Sequence, residues 1–87
     1  MMYPYITLAD ETEITHSHIM DSDGVQIVEV HFERPVEKGF CSARCSLPSY
    51  KWKFNEGFSA AEIDFFNEFL RHNAHLLYSY AAQGGIH

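Results

Sequence analysis

Apolar and polar side chains alternate along the first half of the chain, which is typical of strands that bury one face. Asp23-Gly24 supplies a strong two-residue hairpin signal, because both residue types tolerate the positive φ angles of such a turn. Pro35 and Gly39 bracket another connection, and a further edge strand around Trp52 is compatible with the pattern. The predicted strands are Tyr3–Ala9, Thr12–Ser22, Val25–Glu33 and Phe40–Leu47.

The periodicity changes to that of a helix after Ser59. Ser59 and Glu62 have the spacing of a capping box, and helical periodicity holds from Ala60 to about Ala82. Gly84-Gly85 then offers a left-handed stop. We therefore expect a single α+β domain over residues 1–87. It should contain an antiparallel β-meander of three or four strands, followed by one long C-terminal helix packed on one face.

The predicted helix carries two apolar stripes. At about 100° per residue, the first stripe should lie on the sheet; its members are Ile63, Phe66, Leu70, Ala74, Leu77 and Ala81. A second stripe beside it consists of Phe65, Phe69, Leu76 and Tyr80. A contiguous apolar surface of this kind commonly marks an interaction site. Either residues 48–57 fold over the second stripe within the chain, or a second copy covers it in a two-fold dimer; the sequence does not separate these interpretations.

A histidine cluster is the second candidate site. A hairpin at Asp23-Gly24 places His16 opposite His31 and His18 opposite Glu29, on the sheet face away from the helix. His16, His18, Glu29 and His31 are ligand types that zinc or a similar divalent metal accepts. A register slip of one residue would break this cluster. The more common interpretation is a polar sheet face that tolerates solvent.

The two cysteines are predicted to be core thiols. On a strand, Cys41 and Cys45 lie about 13 Å apart, which is too far for a disulfide. Their small side chains suit the sheet surface beneath a closely packed helix. A reducing, cytoplasmic setting is therefore the expected location. The N-terminus has no basic start or apolar signal core, so we do not expect export.

Charge and length narrow the functional classes. The 87 residues carry a net charge of −6, which opposes attraction to nucleic acid or anionic lipid. No window has the 18 or so apolar residues of a membrane span. No two catalytic groups can be paired, and no cofactor is expected. The sequence favours a non-enzymatic interaction protein that forms a homodimer, with another protein partner also possible; the alternative is a metal- or ligand-binding protein using the histidine cluster.

Overall fold

The computed structural model describes residues 2–84 and consists there of an antiparallel sheet followed by a long helix. The elements are β1 (Tyr3–Thr7), β2 (Glu13–His16), β3 (Met20–Ser22), β4 (Val25–Val36), β5 (Gly39–Leu47), β6 (Lys51–Glu56) and α1 (Ala60–Gln83). The strand order is β1-β2-β4-β5-β6, and β3 pairs with β4. The predicted α+β class is confirmed, although the sheet has six strands instead of the three or four expected.

The predicted strand Thr12–Ser22 is interrupted and forms β2 and β3. Met20 pairs with Ile27, as a hairpin at Asp23-Gly24 requires, but His16 pairs with Val30. Residues 17–19 therefore oppose only residues 28–29, so β2 gains one residue relative to β4. The backbone N–H of Glu29 donates to the hydroxyl of Ser17 at 2.9 Å across this bulge. Successive side chains of a strand lie on opposite faces of the sheet. The extra residue therefore places each β2 side chain on the face opposite to the one predicted.

The hairpin between β4 and β5 is longer than expected. Instead of a connection bracketed by Pro35 and Gly39, the pairing continues until Val36 meets Gly39. Only Glu37 and Lys38 remain as the turn. The segment around Trp52 is a full edge strand, and Trp52 pairs with Cys45.

Small side chains line the helix-facing side of β5. Cys41, Ala43 and Cys45 are buried there, as predicted, and both cysteines are free thiols. Burial raises the pKa of the Cys45 thiol to about 12. Since the thiolate is the reactive form, this burial disfavours reaction at Cys45.

Helix α1 begins and ends where the sequence predicts. The Ser59 hydroxyl accepts from the Glu62 N–H, and the Glu62 carboxylate accepts from the Ser59 N–H, which completes the capping box. Gly84 is left-handed at the C-terminal end, with φ of 79°, whereas Gly85 lies outside the described residues. The fully covered side chains come from the predicted first stripe; they are Phe66, Leu70, Leu77 and Ala81. No helix among residues 2–84 is long and apolar enough to cross a membrane.

Gly57, between β6 and α1, should be intolerant of any side chain. Its φ is +104°, and a Cβ added there would lie 2.8 Å from Cys41 Sγ. We expect Gly57→Ala to cost about 1–2 kcal/mol from backbone strain and about 1–3 kcal/mol more from this overlap in a packed core. Gly24→Ala is the matched control, because Gly24 has φ of +82° and no atom within 4 Å of the added Cβ. Equal losses in urea unfolding of the two variants would contradict the overlap.

Candidate functional site

The helix exposes part of the second stripe. Phe66 stacks on Phe32 of β4, with ring centroids 4.3 Å apart and planes 17° from parallel. This contact fixes the rotation of α1 on the sheet, so the preceding residue, Phe65, points about 100° away from it. Phe65 is 55% exposed, and Leu76, three turns further along the same side, is 37% exposed. We call these two residues the helix strip.

The other half of the second stripe is covered by strand β1. The ring of Tyr5 lies 6.1 Å from that of Phe69 and 5.9 Å from that of Tyr80. The Tyr5 hydroxyl donates to Asn73 Oδ1 at 2.7 Å. This burial raises the pKa of Tyr5, with a smaller contribution from the neighbouring Tyr80. Phe69 and Tyr80 are therefore close to Tyr5 of β1, whereas Phe65 and Leu76 remain partly exposed.

The cover does not come from residues 48–57, which the sequence suggested as the intrachain alternative. Trp52 instead lies over Phe66, with ring centroids 6.4 Å apart, and its Nε1–H donates to Asn67 Oδ1 at 3.1 Å. Asn67 is on the opposite flank of the helix from Phe65. The sequence pattern places Tyr5 in the first strand but does not indicate that Tyr5 covers the helix.

A shallow apolar depression adjoins the helix strip near the start of α1. It has a volume of about 340 Å³ and is bordered on one side by Phe65 itself. Its lining residues are Asp10, Ala61, Glu62, Phe65 and Phe66. A protruding aromatic ring and an apolar hollow thus occur side by side on one surface.

Arg34 of β4 forms ion pairs with two residues that line this depression. Its guanidinium bonds the carboxylates of Asp10, in the turn after β1, and Glu62, in the first turn of α1. The same guanidinium lies 5.1 Å from the centre of the Phe58 ring. The hydrogen bond from Arg34 lowers the pKa of Glu62 and raises that of Arg34, and a hydrogen bond from Thr12 lowers the pKa of Asp10. These contacts fix the β1 turn against the helix.

The predicted histidine cluster does not form. Because of the bulge after His16, the pairing of His16 with His31 is wrong, and His16 faces the helix side of the sheet. It is fully buried, with its ring centroid 5.7 Å from that of Tyr3, and its Nδ1 donates to the Ser17 carbonyl at 2.8 Å. His18 is exposed between β2 and β3.

Glu29 and His31 do lie on the open sheet face, but with other partners. The Glu29 carboxylate pairs with Lys53 and with Arg44, the latter at 3.6 Å. His31 Nε2 lies 3.4 Å from the Glu33 carboxylate. Across residues 2–84, no three histidine, cysteine or acidic side chains are grouped so that they could hold a metal ion.

Comparison with known proteins adds no functional assignment. No family model, no curated protein and no solved structure matches this chain.

Removing the Arg34 guanidinium should reduce stability in a pH-dependent manner. We expect Arg34→Met to cost about 1–2 kcal/mol at pH 7, combining partly exposed ion pairs with the loss of the contact to Phe58. The pKa values of Asp10 and Glu62 are lowered, so their contribution is present at neutral pH and is lost as the pH falls through the lowered values of the folded protein. Urea unfolding of both proteins at pH 7 and pH 3 should therefore show a smaller difference at pH 3.

Arg71→Met serves as the control for this change. Arg71 pairs with Glu68 on the exposed side of the helix, and both side chains are largely solvent-accessible. Its loss should cost no more than about 0.5 kcal/mol at pH 7. If both variants lost the same stability, Arg34 would be an ordinary surface residue.

Proposed function

We propose that this protein is a non-enzymatic interaction protein that self-associates as a homodimer through the helix strip and the adjoining depression. The observation that carries the proposal is the 55% exposure of Phe65 beside an apolar hollow. An apolar surface left uncovered by its own chain is typical of a protein contact. Another protein with an apolar anchor is the alternative occupant.

Self-association is favoured because this surface contains complementary features. In a two-fold contact the same surface of both copies meets, so each copy supplies Phe65 to the hollow of the other. The hollow lies between Phe66 and Ala61 of the helix and Asp10 of the β1 turn. A single copy therefore carries both halves of the contact.

The apolar area is large enough to affect association strongly. Complete burial of an exposed Phe or Leu side chain contributes about 1.5–3 kcal/mol. Phe65 is 55% and Leu76 is 37% exposed, so each contributes roughly half of that, and a two-fold contact buries both of them twice. Association must also overcome a loss of rotational and translational freedom of at least about 4 kcal/mol. We therefore expect a weak dimer, with the contact running along α1.

A cytoplasmic location is part of the proposal. Cys41 and Cys45 are both free and buried. Free thiols are the usual state of cysteines in a reducing compartment.

Replacing Phe65 with Asp should convert the dimer to a folded monomer. A two-fold dimer loses the apolar contact of Phe65 in both copies. We therefore expect at least about a hundredfold increase in the dissociation constant. Native mass spectrometry over a dilution series measures this constant, and circular dichroism confirms that the helix remains folded. A parent protein that stays monomeric at high micromolar concentration would overturn the proposal.

Phe40→Asp is the matched control. Phe40 is 62% exposed near the turn of the β4–β5 hairpin, and the substitution is chemically the same. It should leave the dissociation constant unchanged; dissociation by Phe40→Asp alone would place the contact on the hairpin. Phe69→Asp is unsuitable as a test, since Phe69 packs against Tyr5 and Phe32 and the variant would unfold.

A further inference from the structure

His16 is a polar side chain enclosed in the core beneath strand β1. It is fully buried, and its ring centroid lies 5.7 Å from that of Tyr3 and 6.4 Å from that of Tyr5, both on β1. Its Nδ1 donates to the Ser17 carbonyl, whereas its buried Nε2 has no hydrogen-bond partner among residues 2–84. Since buried polar atoms are usually paired, the bare Nε2 is an exception that points to a role for this imidazole.

The hydrogen bonding of His16 suits only the neutral ring. A neutral imidazole carries one N–H, and His16 uses it at Nδ1 toward the Ser17 carbonyl. Protonation adds a second N–H at Nε2, where the described part of the chain offers no acceptor. It also places a positive charge in a site closed to water, which is costly without a partner of opposite charge.

The elements packed around His16 supply no such partner. The titratable groups that face its ring are the phenols of Tyr3 and Tyr5 on β1, with Tyr80 of α1 beyond Tyr5. Its pairing partner on β4 is the apolar Val30. Within residues 2–84, no carboxylate bonds either nitrogen of the ring. The charged imidazole therefore needs access to water.

Strand β1 is the element that can provide this access. It is at the edge of the sheet and pairs only with β2. The pairing is interrupted between Pro4 and Ile6, and Pro4 has no N–H to donate. The turn after β1 is held separately by the ion pair of Asp10 with Arg34. Residues 3–7 can therefore detach while this turn stays in place.

We infer that His16 is a pH-dependent switch: its protonation in mildly acidic solution releases β1 from helix α1 and uncovers Phe69 and Tyr80. Both rings that enclose His16 belong to β1, so detachment of this strand exposes the imidazole to water. Phe69 and Tyr80 belong to the same stripe as the exposed Phe65 and Leu76. Release of β1 thus joins the covered and exposed halves into one apolar surface. The inference holds equally for a monomer and for a dimer.

The sign of the pH dependence follows from the two states. His16 is neutral while β1 is closed, and it titrates near pH 6.5, like any histidine in water, once β1 is open. The closed state is therefore favoured above this pH and loses stability below it. Between about pH 7.5 and 5.5, the opening equilibrium should shift about tenfold toward the open state. Asp10 and Glu62, whose pKa values are lowered, stay ionised over this range and do not cause the shift.

Amide hydrogen exchange, measured by NMR on the full-length protein, tests this inference. Protection factors remove the intrinsic effect of pH on exchange. Protection of the β1 amides should fall about tenfold from about pH 7.5 to 5.5 and stay below that of the central β5 amides, which report global unfolding. His16→Asn retains a donor for the Ser17 carbonyl but takes up no proton, so the pH effect should disappear. His31→Asn is the matched control, because His31 lies on the open sheet face beside Glu33, and it should keep the effect.

The parent protein alone also decides the question. Long-range proton–nitrogen NMR spectra of its histidine rings show when His16 takes up a proton. Proton uptake at about pH 5.5 with unchanged protection of β1 would overturn the inference, as would protection of β1 equal to that of β5. A tenfold loss of protection that persists in His16→Asn, or disappears in His31→Asn, would assign the effect to another group and overturn it as well.

Discussion

The stack of Phe66 on Phe32 determines which residues of this protein meet solvent. The two rings are nearly parallel and 4.3 Å apart, and both side chains are buried. Because a helix advances by about 100° per residue, fixing Phe66 on the sheet also fixes every other residue of α1. Phe69 and Tyr80 then face β1, whereas Phe65 and Leu76 lie beyond β1 and face solvent. The exposed helix strip is thus a consequence of a contact in the centre of the core.

Local patterns in the sequence were sufficient for the fold class and the helix. The capping box, the helical period and the left-handed glycine all involve residues within one or two turns, so each could be read without knowing the tertiary structure. The small inward residues of β5 were equally predictable from strict alternation. The number of strands was underestimated because the bulge after His16 divides one predicted strand into β2 and β3, and because the segment around Trp52 was expected only as a compatible edge strand.

The contacts that define the site were not predictable in this way. The bulge after His16 is marked by neither glycine nor proline; the Ser17 hydroxyl simply replaces a backbone acceptor for Glu29. The one extra residue in this bulge places His16 on the helix side of the sheet, so the predicted histidine cluster does not form. Similarly, Tyr5 reaches Asn73 across 68 positions of sequence, so no local pattern shows that β1 covers half of the second stripe. The register of β2 and the packing of β1 on the helix thus depend on individual side chains, Ser17 and Tyr5.

Exposure alone does not select the helix strip, since Phe40 is even more exposed than Phe65. Phe40 lies where the β4–β5 hairpin extends beyond its neighbours: the pairing of β2 with β4 ends at Glu33, and that of β6 with β5 ends at Ser42. Val36, also exposed, occupies an adjacent row of this hairpin and so faces the other side of the sheet. The apolar area there is divided between two faces. Around Phe65 it is continuous, because the ring borders a hollow floored by Phe66 on the same surface. Continuity of apolar area, which isolated surface residues lack, is what favours the helix as the contact.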